Sequence, residues 1–313
     1  MTRRFDQLDV FSADGLRGNP LAVVHDATGL DDARMAAFAR WTNLSETTFL
    51  LPPTDAAADY RVRIFTPGGE LPFAGHPTLG SCHAWLAAGG TPRRGDVVVQ
   101  QCGVGLVEVR RDGSRLAFAA PPTRRSGPLD EALLAQIARG LRLPRAALLD
   151  HQWVDNGPGW CAVMLDSADA VRALRPDWPA LAGLALGVVG PHAAGGDAQF
   201  ELRAFIGDGM YEDPVTGSLN ASVAQWLIGT GQAPPRYVAS QGHALGRAGR
   251  VVIERRDGTV WVGGEVAECI RGNFFTDSAR AEGLQAESWW LELMEYVDAN
   301  YRTMPPTEID WEE

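Results

Sequence analysis

The chain has 313 residues, 45% of them hydrophobic, which predicts a globular protein with room for two domains of about 150 residues. Its 39 acidic and 28 basic side chains give a net charge of −11, which argues against nucleic-acid binding, because a nucleic-acid backbone needs a basic face. The sequence contains no lysine, which excludes a pyridoxal-phosphate Schiff base and a Walker phosphate loop.

The sequence predicts neither a membrane span nor a signal peptide. The most apolar stretch, residues 181–190, is only about half as long as a bilayer span, so we expect no membrane partner. The N-terminus reaches Asp6 before any hydrophobic run, which does not fit a signal peptide. Four cysteines without C-x-x-C spacing are typical of reduced thiols, so we expect a cytoplasmic location.

The first half of the chain predicts short strands followed by one strongly apolar helix. Proline in its first turn indicates that the helix begins at His76, and it ends at the glycines 89–90. A hairpin closes this half, and a Pro-rich stretch at 120–128 has the composition of a linker. The strands and the hairpin are predicted at 6–11, 22–24, 61–66 and 97–118.

The second half repeats this pattern. Strands are predicted at 160–165 and 199–205, and a second apolar helix runs from Gly217 to Gly229 or Gly231 before a hairpin at 250–262. Apolar residues on nearly every face of both helices indicate that each is buried. We therefore predict an α+β fold in which a small β-barrel encloses one central helix in each half.

An internal duplication is indicated by three matches at a spacing of about 140 to 145 residues. The matches occur in the same order, and the spacing is far too long for a solenoid, so it predicts two homologous domains. We place these domains at residues 1–121 and 129–272. The matching pairs of segments are 19–24 with 159–164, 74–86 with 216–227, and 110–114 with 255–259.

A C-terminal extension, residues 273–313, follows the two domains. An apolar helix is predicted at 286–302, and such a surface is normally buried against something. It is expected to pack on the N-terminal domain, to cover the cleft, or to form part of a dimer contact. We expect the protein to be a homodimer.

Both central helices begin with residues that allow a ligand to approach the backbone. Gly75 and Gly217 stand at these starts, and the N–H groups of a helix start attract anions. If the repeat is a pseudo-dyad, the two starts face each other across a cleft and favour a carboxylate. The alternative is that both glycines only serve tight turns.

Four side chains near these starts have both a structural and a chemical interpretation. Glu46, at the beginning of a strand, is either a solvated strand end or a partly buried base with a raised pKa. His76 could be a helix-capping side chain, and Asp213 could belong to an ordinary Asp-Pro turn. Ser218 lacks the G-x-S-x-G pattern of a serine hydrolase. The histidine spacing predicts no metal site.

Several segments together resemble the PhzF-like (phenazine-biosynthesis isomerase) family. They lie between about residue 5 and about residue 272, and the glycine-histidine segment is the most specific of them. They are residues 18–20, which include Asn19, and residues 45–49, 63–67, 70–80, 212–218, 241–243 and 246–247.

The resemblance implies the diaminopimelate-epimerase fold with an active site between the two domains and no cofactor. It implies that Glu46 takes a proton from one ring carbon of a dihydro-hydroxyanthranilate and returns it to another. His76 and Asp213 would assist this transfer. The implied ligands of the substrate carboxylate are the Gly75 and Gly217 amides with Ser218, and Asn19 is also expected to bind substrate.

Two other functions stay open from the sequence. Epimerases of the wider fold use two cysteines, one beside each central helix start, and none of the four cysteines here lies at Gly75 or Gly217. A two-thiol mechanism is therefore disfavoured. The chain could also bind a small acid without turning it over, since a fold does not by itself carry a reaction.

Overall fold

Within residues 2–275 the chain forms 17 strands and five α-helices. The computed structural model describes residues 2–275, of which Arg4–Gly272 form one compact unit. The strands are β1 Thr2–Val10, β2 Asn19–Val24, β3 Glu46–Leu51, β4 Tyr60–Thr66, β5 Gly69–Leu71, β6 Val97–Cys102, β7 Gly105–Asp112, β8 Arg115–Ala119, β9 Asp150–Trp153, β10 Trp160–Met164, β11 Ala185–Pro191, β12 Phe200–Ile206, β13 Tyr211–Asp213, β14 Arg236–Gln241, β15 Gly249–Arg256, β16 Thr259–Gly264 and β17 Val266–Phe275. The α-helices are α1 Asp32–Thr42, α2 Gly75–Ala87, α3 Glu131–Leu141, α4 Ala168–Ala173 and α5 Gly217–Gly229.

The described strands form one 17-stranded sheet, in which the same order of pairings occurs twice. In the first half, β1–β2 is antiparallel, β2–β3 parallel, β3–β4 antiparallel, β4–β6 parallel, and β6–β7–β8 antiparallel. In the second half, β9–β10 is antiparallel, β10–β11 parallel, β11–β12 antiparallel, β12–β14 parallel, and β14–β15–β16 antiparallel. Antiparallel pairing of β8 with β16 joins the two halves.

The two apolar helices of the sequence lie at the centre of this arrangement. Helix α2 contacts β2, β3, β4, β6, β7 and β8, while α5 contacts β15 and β16, and the two helices also contact each other. Leu79 and Cys82 of α2 and Leu219 and Leu227 of α5 are completely buried. The prediction of a buried apolar helix in each half is confirmed. A helix with apolar side chains on all sides is stable only when it is buried inside the protein.

Each half also contains helices besides the central one that the sequence did not predict, whereas the barrel around each central helix stays a prediction. Helix α3 is amphipathic, with Leu134, Ile137 and Leu141 at helical spacing packed in a second core cluster beside Leu181. Asp130 caps this helix by accepting a hydrogen bond of 2.8 Å from the N–H of Leu133. Helices α1 and α4 were also not predicted. The segment 97–118 forms three strands, β6 to β8, instead of one hairpin.

The domain boundaries at residues 121 and 129 stay a prediction. The predicted helix at 286–302 lies outside the described residues, as does most of the extension 273–313. None of the helices within residues 2–275 has the length and apolar character that a bilayer crossing requires.

Candidate active site

The starts of α2 and α5 lie against each other. A methyl group added at Gly75 would lie 3.3 Å from Cα of Gly217 and 2.6 Å from Cζ of Phe118. In return, a methyl group at Gly217 would lie 3.2 Å from Cα of Gly75. Only glycine at both positions permits this approach, so the structure brings together the two helix starts that the sequence singled out.

Neither helix start is capped by a side chain. The N-cap residues are Ala74 for α2 and Thr216 for α5, and neither makes a side-chain capping bond. His76 is the second residue of α2 and does not cap it, so the capping interpretation of His76 is wrong. The first N–H groups of a helix have no intrahelical acceptor and attract anions, and the two helix starts are adjacent here.

Glu46 and His76 form the centre of the site. Glu46 is the first residue of β3, as predicted, and its parallel neighbour on β2 is Leu21. Its Oε2 lies 3.2 Å from Nε2 of His76, and the two side chains are 15% and 6% exposed. The two atoms are not aligned for a hydrogen bond, and within residues 2–275 neither has another hydrogen-bond partner.

The electrostatics make this contact an uncharged pair at neutral pH. Burial, together with a smaller effect of the nearby carboxyl group of Asp213, raises the pKa of Glu46 from 4.5 to about 8. Burial lowers the pKa of His76 to about 3, with a smaller opposing effect from the Pro20 backbone. Although the distance is that of a salt bridge, these directions describe a carboxylic acid beside a neutral imidazole.

Asp213 is held at the end of β13 by three polar neighbours. Its Oδ1 accepts a hydrogen bond of 3.1 Å from Nδ2 of Asn19, and its Oδ2 accepts one of 2.5 Å from the Thr216 hydroxyl. Gln241 donates to its main-chain oxygen. Burial raises the pKa of Asp213, and the bonds from Thr216 and Asn19 partly oppose that rise.

Asn19 links the two halves of the chain at this point. The same Nδ2 also donates a hydrogen bond of 2.9 Å to the main-chain oxygen of Val215. Asn19 is completely buried, and its Oδ1 accepts no hydrogen bond from the described residues. Its side chain therefore fixes the carboxyl group of Asp213 relative to β2, while its predicted contact with substrate stays a prediction.

Ser218 lies next to Gly217 at the start of α5. Its hydroxyl oxygen accepts a hydrogen bond of 3.0 Å from Nε1 of Trp160, and its main-chain oxygen accepts one of 2.9 Å from Nδ2 of Asn156. Neither Trp160 nor Asn156 was predicted as a site residue. The sequence feature that could have identified these two residues is the turn-forming segment 156–159, which directly precedes β10.

The family segment 241–243 contributes only one residue to the site. Oε1 of Gln241 accepts hydrogen bonds from the Thr216 N–H at 3.0 Å and from Nδ2 of Asn220 at 2.9 Å. Gln241 is buried and orders the loop that precedes α5, whereas His243 is exposed. Sequence reasoning singled out this segment without assigning these roles.

The cysteines do not provide a pair of thiols at the helix starts. Cys82 lies inside α2 and Cys161 in β10, both buried. Burial raises the pKa of Cys82 above its usual range and that of Cys161 to about 12. A thiol that stays protonated is a poor base or nucleophile. Grouped metal ligands are also not found within residues 2–275.

These features define a mixed α/β protein with a large sheet, few helices and a buried carboxyl group at two opposed helix starts. The sequence model of the family described as "Phenazine biosynthesis-like protein" matches residues 8–272. The chain belongs to this family, and it is an isomerase. The resemblance stated from the sequence is thereby confirmed.

Similar proteins support this assignment. The chain is 36% identical to antisense-enhancing sequence 1 of Schizosaccharomyces pombe, with coverage of 87% of this chain and 98% of the relative. It is 35% identical to trans-2,3-dihydro-3-hydroxyanthranilate isomerase of Pseudomonas aeruginosa, covering 79% and 88%. A solved structure of a predicted epimerase from Pseudomonas aeruginosa superimposes with a TM-score of 0.69 at 32% identity, covering 88% of this chain and all of that one.

Proposed function

We propose that the chain isomerises a small carboxylic acid by moving one proton with Glu46. The observation that carries this proposal is the state of that side chain. It is a buried carboxyl group with a pKa of about 8, and its Oε2 has no hydrogen-bond partner among the described residues. A pKa near the working pH is what a group needs if it is to both accept and return a proton.

The other residues of the site have supporting roles in this proposal. The substrate carboxylate binds to the N–H groups at the starts of α2 and α5, beside Gly75, Gly217 and Ser218. Neutral His76 orients the carboxyl group of Glu46. Asp213, positioned by Asn19 and Thr216, raises the pKa of Glu46 through its negative charge and so keeps Glu46 protonated to higher pH.

The chemistry of the transfer requires no cofactor. A proton leaves one carbon to Glu46, the remaining electron pair shifts through the adjacent double bond, and the same carboxyl group returns a proton to a second carbon. Atoms and electrons balance because nothing is oxidised and no group leaves. We take the substrate to resemble trans-2,3-dihydro-3-hydroxyanthranilate, the compound in the name of the Pseudomonas aeruginosa relative.

We further propose that the two halves are homologous barrels with the site between them. A detail of the side chains supports this. Arg63 of β4 donates two hydrogen bonds to Glu70 of β5, and Arg203 of β12 donates two to Glu212 of β13. In each half the arginine also lies over the phenylalanine two residues later, Phe65 or Phe205, at 5.0 and 4.9 Å. The homodimer and the cytoplasmic location stay predictions.

The experiment is turnover of trans-2,3-dihydro-3-hydroxyanthranilate by the native protein, Glu46→Gln and Glu46→Asp. We expect Glu46→Gln to lose about 10²-fold or more of kcat, because the amide cannot accept the proton. Glu131→Gln, at an exposed glutamate, is the matched control and should keep full activity. Full turnover by Glu46→Gln would refute the proposed role, and binding without turnover by the native protein would favour a non-catalytic function on this acid.

A further inference from the structure

The short strand β13 presents its residues to opposite sides. Glu212 points to the side of Arg203, with which it forms a buried pair, both side chains being 4% exposed. Asp213 points to the other side, where it meets Asn19 and Thr216. Because side chains alternate along a strand, Tyr211 lies on the same side as Asp213, opposite Ile206 of β12. The ring is therefore on the face of β13 that carries the candidate site.

The surroundings of Tyr211 hold its ring in place and leave one side of it open. A methyl group at Gly209 would lie 2.5 Å from both Cδ1 and Cε1 of the ring, so the ring rests on a residue without a side chain. Tyr211 is 50% exposed. The ring packs against Gly209, is half exposed and lies on the same side of β13 as the carboxyl group of Asp213. An aromatic ring in this position can contact a ligand in the site.

The phenol group of Tyr211 also interacts electrostatically with the carboxyl groups of the site. Burial raises the pKa of Tyr211, and the carboxyl groups of Asp213 and then Glu46 raise it further. The hydroxyl therefore keeps its proton over the range in which Glu46 titrates, and it is available as a hydrogen-bond donor. None of the motifs that identify the family includes this residue.

We propose that Tyr211 contacts the substrate and determines which acids the site accepts, by packing its ring on the flat, unsaturated part of the ligand's ring. This inference rests on the proposed function, because it places the substrate carboxylate at the two helix starts. The helix starts alone would bind any small carboxylate. Tyr211 would add a preference for acids whose carboxylate is attached to an unsaturated ring with a flat face.

The experiment compares three acids that share a carboxylate and differ in the attached group: acetate, benzoate and cyclohexanecarboxylate. Calorimetric Kd values are measured for the full chain, Tyr211→Ala and Tyr211→Phe, with Met210→Ala as control because Met210 is the adjacent exposed apolar residue. We expect Tyr211→Ala to weaken benzoate binding about three- to tenfold, as stacking energies indicate, while acetate changes less than about twofold. Tyr211→Phe should keep the preference for benzoate.

The inference would be overturned by a lack of benzoate binding to the native protein, by an equal loss for acetate and benzoate in Tyr211→Ala, or by a loss in Met210→Ala equal to that in Tyr211→Ala. Equal binding of benzoate and cyclohexanecarboxylate would also overturn it, because a puckered ring cannot stack flat. These measurements are independent of turnover, so an active Glu46→Gln variant would refute the proton-transfer role and leave the ring contact standing.

Discussion

Oε2 of Glu46 lies 3.2 Å from Nε2 of His76, and burial favours the uncharged form of both groups. Two buried polar atoms that face each other without a well-formed hydrogen bond lower the stability of the folded protein. Their presence therefore indicates a role in binding or catalysis. In the proposed function, both atoms contact a substrate whose carboxylate binds beside the two helix starts. The titration of this pair therefore gives the first two predictions.

The first prediction concerns the pH dependence of activity. Glu46 must be ionised to accept a proton, and its pKa is about 8. We expect kcat/KM, which reports the free enzyme, to rise about tenfold per pH unit below pH 8 and to level off above it. In Asp213→Asn the midpoint should move to lower pH, because one cause of the raised pKa is removed. A midpoint that stays near 8 in Asp213→Asn would contradict this coupling.

The second prediction concerns the pH dependence of stability. Below pH 4.5 Glu46 is protonated in the folded and unfolded states, whereas between pH 4.5 and 8 only the unfolded state ionises. The unfolded state then binds fewer protons, so this group makes the native protein less stable as pH rises through that window. Glu46→Gln should therefore gain on the order of 1–3 kcal/mol over the native protein between pH 5 and pH 8.

Thermal unfolding of both proteins from pH 5 to pH 9 measures this difference. Glu131→Gln is the control, because Arg145 lowers the pKa of the exposed Glu131, the opposite direction. A constant difference in Tm between Glu46→Gln and the native protein across the range would show that the pKa of Glu46 is not raised.

The third prediction concerns the contact between the helix starts. Gly75→Ala would place a methyl group 2.6 Å from Cζ of Phe118 and 3.3 Å from Cα of Gly217, so the Phe118 ring must move and the helix starts must shift slightly. We expect a loss of about 1–3 kcal/mol in the free energy of unfolding and a larger loss in substrate affinity. Gly229→Ala, at the exposed end of α5 with no atom within 4 Å, should be neutral or stabilising. Equal effects in both variants would refute the special role of the contact.

The fourth prediction concerns the thiols. Iodoacetamide should modify the half-buried Cys102 and Cys269 before the buried Cys82 and Cys161, and isomerase activity should persist. A variant with all four cysteines replaced by alanine should also remain active if it folds. If iodoacetamide inactivates the enzyme and substrate protects against this inactivation, the result would support a thiol mechanism instead.

The fifth prediction compares the two equivalent ion pairs. Arg203→Met leaves Glu212 buried and unpaired, since both side chains are 4% exposed, and should lower the free energy of unfolding by about 3–5 kcal/mol. Arg63→Met leaves Glu70, which is 41% exposed, in contact with water and should cost less than about 1 kcal/mol. Urea unfolding measures both. Similar losses would mean that burial does not distinguish the pairs.

Local sequence patterns were sufficient for part of this protein. The starts of α2 and α5, their apolar surfaces and the position of Glu46 at the start of a strand follow from periodicity, glycine and proline placement, and residue type over short distances. The family motifs then identified Glu46, His76 and Asp213 together. Helix α3 carried equally local signals, in the spacing of Leu134 and Ile137 and in its Asp130 cap, and could have been predicted.

Only the tertiary structure decided how these residues act. The Asn19–Asp213 hydrogen bond joins residues 194 positions apart, and no pattern in either segment specifies the other. The raised pKa of Glu46 and the lowered pKa of His76 depend on the burial that packing of the sheet around α2 and α5 creates. The position of Tyr211 beside Asp213 depends on the pairing of β13 with β12. Residue types and short-range spacing are properties of the chain, whereas solvent exclusion and long-range contacts exist only after it has folded.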